Sequence, residues 1–254
     1  LSARWSRGGG AIASLESDGA ANGRASDRGA RESETALAAL GSPLSRDFYA
    51  RPAPALARAL IGRLLVRESP EGIAGGLVVE VEAYRGAADP ASHAYRGPTA
   101  RNAVMFGPAG HAYVYFTYGM HYCVNVVAGR PGRAEAVLVR ALEPTLGLEL
   151  MGSRRRGVES ARFARGPACV TRALGIGRES NGVDLVDGPL WISDRAPDRR
   201  GFSIERGARI GIRSGLDLPW RFFLAGHPCV SGPRSGSAGL PGVAAVRRAG
   251  RVRR

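Results

Sequence analysis

Two β-rich runs, Tyr113 to Tyr118 and His121 to Val127, are separated only by Gly119-Met120. So short a link joins strands only as an antiparallel hairpin, because a parallel return needs a crossover of a dozen or more residues. A further apolar run, Ala136 to Leu142, extends the sheet. Upstream, Gly76 to Tyr84 alternates, with Leu77, Val79 and Val81 on one face and Glu80, Glu82 and Tyr84 on the other. That pattern predicts a buried face holding up a polar one. Leu56, Leu60 and Leu64 behind Pro52 and Pro54 predict a helix over 55–65. Helices are also expected over 146–151 and 167–174, and short strands over 190–193, 209–213 and 221–224. With no repeated βαβ unit, the expected fold class is α+β: a single mixed domain with a curved, largely antiparallel β-sheet, surrounding helices and a protruding β-hairpin.

Composition sets the expected boundaries. Residues 1–42 are rich in Gly, Ala and Ser and carry five arginines against five acidic residues. They bury too little apolar surface to offset chain entropy, so a disordered extension is expected there. The folded domain is expected over 43–232, followed by a flexible basic tail over 233–254. The chain holds 36 basic and 22 acidic residues, a net charge of +14, and every basic residue is arginine. The surplus lies after Ser42 and favours a polyanionic partner.

The three cysteines, Cys123, Cys169 and Cys229, are odd in number and far apart, which argues against a disulfide framework or a Cys-x-x-Cys metal knuckle. His111, His121, Cys123 and His227 lack a third ligand at a recognisable interval, so neither metal nor cofactor is expected. No run approaches the roughly 20 apolar residues of a membrane span, and no apolar signal segment opens the chain. A cytoplasmic protein with no membrane partner is expected.

A carboxylate near a strand end with an aromatic beside it can act as a general base, and Glu82 with Tyr84 has that setting. On local sequence alone a solvated strand face explains the pair as well. The hairpin adds weight, since Tyr113, Tyr115, Tyr118 and Tyr122 are four of the seven tyrosines in the chain. Such rings cover a sheet or provide platforms for nucleobases, a contact worth about 1–3 kcal/mol per base. Tyr118, beside Gly119 at the tip, is placed to protrude, and a protruding ring can fill the gap left by an extruded base.

Val81-Glu82-Ala83-Tyr84, Ala91-Ser92-His93, Arg101-Asn102-Ala103-Val104-Met105-Phe106, Tyr113-Val114-Tyr115, Tyr118-Gly119-Met120, Cys123-Val124-Asn125 and Arg140-Ala141-Leu142-Glu143-Pro144 together resemble, in order, the alkyladenine (3-methyladenine) DNA glycosylase family, as a bacterial member. The resemblance runs from about Leu44 to Ser231. It implies a repair enzyme that turns a damaged purine out of double-stranded DNA and hydrolyses its bond to the sugar. Glu82 is then the general base that orients the water, and Arg140 helps to hold water and carboxylate. A backbone carbonyl of Arg209-Ile210-Gly211-Ile212 completes the water's site. The base lies between Tyr84 and the pair His93 and Tyr115, with Ala91 lining the pocket and Asn125 guarding its floor against normal guanine. Tyr118 intercalates next to Met120, while Thr99 and Arg101 approach the phosphate backbone.

Two departures from the family pattern stand out. Gly166-Pro167-Ala168-Cys169-Val170 replaces the family's Gly-Pro-Gly-Lys-Leu, so Arg165 or Arg172 would have to supply the lost charge, and His121 takes the place of a larger aromatic. The absence of lysine also removes the side-chain amine that a Schiff-base lyase requires, so a monofunctional enzyme that leaves an abasic site is expected. A nucleic-acid-binding module that kept the fold without the chemistry is the competing expectation. One pocket serves one extruded base, so a monomer is expected.

Overall fold

The computed structural model describes residues 39–232. The extension and the basic tail expected at the termini fall, apart from residues 39–42, outside the described residues.

A short helix α1 (Arg46–Tyr49) leads into α2 (Ala53–Leu60), whose Ala53, Leu56, Ala57 and Leu60 are buried. Pro52 at the N-cap offers no side-chain acceptor, and the Glu135 carboxylate accepts the Ala53 N–H instead (2.6 Å), placing negative charge at the positive end of the helix dipole. The helix ends five residues earlier than its leucine spacing predicts. Ile61 is extended and Gly62 sits at φ +84°, so Leu64 and Leu65 open strand β1 (Leu64–Ser69) instead of a further turn.

The sheet is antiparallel throughout. Strands β2 (Gly72–Arg85), β3 (Ala112–Thr117), β4 (His121–Ala128), β5 (Glu135–Leu146) and β6 (Leu190–Ile192) run in the spatial order β3-β4-β5-β2-β1-β6. Strand β8 (Arg221–Leu224) pairs with both β7 (Ile204–Gly207) and β2. Helix α3 spans Leu148–Arg154, and α4 spans Pro167–Leu174 as its sequence predicts. Helix α2 packs on β2 and β5, and α4 on β4 and β5, around one core that includes Leu56, Leu60, Val81, Val139, Leu142, Leu174 and Phe223. The result is a curled half-barrel with helices against it, the α+β class expected.

Strand β2 organises the sheet. Its first half pairs with β1 and its second half with β8, while β5 runs along its other edge. At the changeover the β2–β5 register shifts on both sides of Glu80: Val78 faces Leu142, Glu80 faces Ala141 and Val81 faces Val139. Val79 and Arg140 therefore stand opposite no partner, and such bulges re-aim the side chains around them. With β8 and the helices covering it, the stretch from Val78 to Ala83 is buried on both faces. The polar face read from the alternation is thus interior, not solvated.

The hairpin closes as expected, through Tyr118 (φ +51°) and Gly119 (φ +68°), with the Met120 N–H donating to the Thr117 carbonyl (3.3 Å). Positive φ at both central residues matches the right-handed twist of the flanking strands. Only Gly119 adopts it freely; Tyr118 does so against its Cβ.

Candidate active site

Glu80 and Glu82, both fully buried, project from β2 toward Arg140, which stands opposite no residue of β2. The Arg140 guanidinium has all three nitrogens engaged. Nε donates to Glu80 Oε1 (3.0 Å), Nη1 lies 3.3 Å from Glu82 Oε1, and Nη2 donates to Ser231 Oγ (3.3 Å). Arg221 of β8 adds a second cation, its Nε donating to Glu80 Oε1 (2.7 Å), while the Ser231 N–H donates to Glu80 Oε2 (2.6 Å). Two carboxylates and two guanidiniums balance in charge where an unpaired ion would cost several kcal/mol.

Glu82 accepts two further bonds, from the Tyr84 hydroxyl to Oε2 (2.8 Å) and from the Ile210 N–H to Oε1 (2.7 Å). With the Arg140 ion pair at Oε1, both carboxylate oxygens are in contact with a donor. Burial pushes the Glu82 pKa up, and the attraction of Arg140 with the two hydrogen bonds does not fully offset it. Glu80 has the opposite outcome: burial is outweighed by Arg140, Arg221 and Ser231, and its pKa falls. Arg140 is the largest of the influences that favour the ionised form of Glu82, set against its burial.

Above this cluster lies a cavity of about 360 Å³ lined by Tyr84, Ala91, His93, Tyr115, Asn125 and Arg140, among others. Of the residues expected at the base pocket, every one meets there. Glu82 itself is covered by Tyr84, Arg140 and Ile210, all three of which line the cavity. The ring of His93 meets that of Tyr115 edge-on (centroids 4.5 Å apart) and its Nδ1 lies 3.0 Å from the Tyr113 hydroxyl. Partial burial of the imidazole, then the charge of Arg101, lowers the His93 pKa, which favours the neutral ring. Asn125 is fixed by donating from Nδ2 to the Tyr113 carbonyl (3.0 Å).

The hairpin tip stands at the rim. Tyr118 lines the cavity yet is 82% exposed, and Met120 is 69% exposed beside it. Thr99 and Arg101 lie outside the cavity lining. Thr99 exchanges hydrogen bonds with Asn102, and Arg101 donates to the Phe116 carbonyl (2.9 Å) with its guanidinium 5.5 Å from the Tyr115 ring.

Several organising residues escape the sequence reading. Asn102, buried, donates to the His93 and Gly97 carbonyls (2.9 and 3.1 Å) and so fixes the loop that carries His93. Asp89 accepts from the Ala91 N–H (3.1 Å) and from Arg209 Nη2 (2.8 Å), tying together the two segments that wall the cavity. Arg209 also lies 4.7 Å from the Tyr84 ring centroid. Residues 209–213 form no strand, although Ile210 and Ile212 alternate as a strand would; Gly211 stands at φ +77°. The group they give to Glu82 is the Ile210 N–H. Asp89 and Glu80 left a faint signal, as acidic residues within strand-rich sequence, but their partners lie 120 and 141 residues away.

The Arg154-Arg155-Arg156 run divides. Arg154 pairs with Glu71 (2.7 Å), whereas Arg155 Nη2 reaches Cys169 Sγ (3.2 Å). The charge nearest Cys169 thus comes from Arg155, while Arg172 lines a separate groove with His121 and Met120. Among the described residues, no group of three or more His, Cys, Asp or Glu could hold a metal ion, and no helix is long and apolar enough to cross a membrane.

Comparison with known proteins identifies relatives over most of the chain. The profile described as methylpurine-DNA glycosylase matches residues 47–228. A protein of Methanoculleus marisnigri that carries the name of a 3-methyladenine DNA glycosylase is 52% identical over 187 residues, 72% of this chain and 96% of the relative. Relatives of the same name from Carboxydothermus hydrogenoformans and Streptomyces avermitilis are 49% identical over 188 residues (74% of this chain, 98% of the relative) and 47% identical over 195 (75% and 91%).

Proposed function

Since the chain belongs to the methylpurine-DNA glycosylase family, we propose that it is a monofunctional glycosylase of base excision repair, which extrudes alkylated or deaminated purines from duplex DNA and hydrolyses the N-glycosidic bond. The observation that carries this reading is the buried Glu82, held by Arg140, Tyr84 and the Ile210 N–H directly behind an aromatic-walled cavity.

In this reading a purine of 3-methyladenine, hypoxanthine or ethenoadenine type stacks on Tyr84, with His93 and Tyr115 on its other side. Ala91 lines the pocket, and Asn125 disfavours the exocyclic amino group of guanine. An alkylated purine is electron-poor and gains from the electron-rich ring faces. A water admitted beside the extruded nucleotide bonds to the Glu82 carboxylate, which the Tyr84 hydroxyl and the Ile210 N–H hold in place. The water oxygen bonds to the sugar C1′, its proton passes to Glu82, and the glycosidic electron pair leaves with the base. The ionised carboxylate also stabilises the positive charge that develops on the sugar. Tyr118 and Met120 fill the gap in the stack, and Thr99 and Arg101 contact the backbone. The protein acts on DNA as a monomer.

The test is base release from duplexes containing each lesion. Free base and an intact abasic strand are expected, with no protein–DNA adduct on borohydride reduction, because the chain has no lysine. Binding without release leaves only a DNA-binding module, and a trapped adduct rules out simple hydrolysis.

The raised pKa of Glu82 fixes the sign of the pH dependence. The ionised form is the base, so activity is lost as pH falls through a value above the ordinary ~4.3 of glutamate. Single-turnover release from a hypoxanthine duplex should show that acid limb. Tyr84→Phe, which removes a hydrogen bond to the carboxylate, should move it further up. A limb at or below the ordinary value, or unmoved by the substitution, contradicts the assignment.

A further inference from the structure

A second concavity, of about 470 Å³, lies across the first turn of α4 from the base cavity: Pro167 lines the first, and Cys169 the second. Arg155, Arg162 and Arg165 line it together with Ser231 and a single carboxylate, Glu159. Among the described residues none of the three arginines forms an ion pair, although Arg154 next to them does. Arg155 meets only the Cys169 thiol, a weak acceptor, and its Nε is buried without a hydrogen-bond partner. Arg165 is anchored through its Nε to the Val230 carbonyl (2.8 Å).

Three guanidiniums around one hollow repel each other, and an unmet buried donor costs about 1–3 kcal/mol. An anion with several acceptor oxygens relieves the repulsion, and the planar guanidinium fork suits phosphate. The hollow shares Ser231 with the catalytic cluster, since Arg140 Nη2 donates to its Oγ and its N–H donates to Glu80. Pro167 and Cys169, two residues apart on α4, set it beside the cavity to which a strand is presented. We propose that this arginine-lined concavity receives a backbone phosphate of the duplex whose damaged nucleotide occupies the base cavity. This inference rests on DNA being the partner, as proposed above.

Two readouts on the full-length chain test it. Duplex affinity is measured over a range of salt for the wild type, the double variant Arg162→Ala/Arg165→Ala, and Arg58→Ala, an exposed position on α2. The double variant should flatten the slope of log K against log salt by about 0.9, the change for a single phosphate that the protein no longer neutralises, while Arg58→Ala leaves it unchanged. In the unaltered protein, duplex should slow alkylation of Cys169 by iodoacetamide several-fold, since Cys123 and Cys229 are buried. Inorganic phosphate at the same ionic strength should not. The alkylation readout stands even if the variant fails to fold. An unchanged slope, equal alkylation with and without duplex, or protection by inorganic phosphate alone overturns the proposal. Wild-type protein that binds duplex but releases no base fails the glycosylase reading and leaves this test valid.

Discussion

Glu82→Gln should lower single-turnover base release by a factor on the order of 10²–10⁴, the range that a positioned general base contributes, with duplex affinity unchanged. The amide keeps the size of the carboxylate and its oxygen still accepts from the Ile210 N–H, but it cannot take the water's proton. Glu82 is fully buried, so the surface offered to DNA is unaltered. The measurement is base release at saturating protein beside a binding titration. Release at the wild-type rate removes Glu82 from the mechanism, whereas a parallel loss of binding assigns it a structural role.

Glu80→Ala should be the most damaging single change to stability. It removes the buried carboxylate that pairs with both Arg140 and Arg221 and strips the Ser231 N–H of its acceptor. Breaking a buried ion pair by removing one partner costs about 3–5 kcal/mol, equivalent for a domain of this size to about 6–20 °C in Tm. The compensated variant Glu80→Leu/Arg221→Met removes a carboxylate together with a cation and should recover most of the loss, because Arg140 keeps Glu82. Thermal unfolding of the three proteins checks this. A loss of under about 1 kcal/mol in Glu80→Ala, the scale of an exposed pair, would mean that the cluster is solvated.

What the sequence reveals and what it hides follow from the range of the forces involved. The hairpin is legible because period-2 alternation and a tip glycine are local signals, and α4 because Pro167 and Gly175 mark its ends. The end of α2 is not, since Leu64 fits either a fourth helical turn or the first residue of β1, and pairing with β2 decides between them. Ile210 and Ile212 alternate like a strand, yet the loop is held by the Arg209–Asp89 ion pair and by Glu82, partners far away in sequence. For the same reason Glu82 and Tyr84 are visible as candidates while Glu80 is not. A lone carboxylate on a strand looks solvated until the strand that covers it, β8, is known. The motifs place the residues that touch the cavity; the ionic support behind them is a tertiary property.

The paired irregularity of β2 and β5, with Val79 on one strand and Arg140 on the other lacking a partner, sets how this chain can tolerate length changes. Side chains alternate with a period of two, so losing or gaining one residue within β2 exchanges every face beyond that point. Deleting Val79 alone would realign Glu80 and Glu82 against the core and abolish their meeting with Arg140. The extra residues on the two strands offset each other, so a lineage that shortens one must shorten the other. Insertions should accumulate in the loops around this sheet and be absent from 78–82 and 138–142, a pattern that sequences of more distant relatives can reveal without any assay.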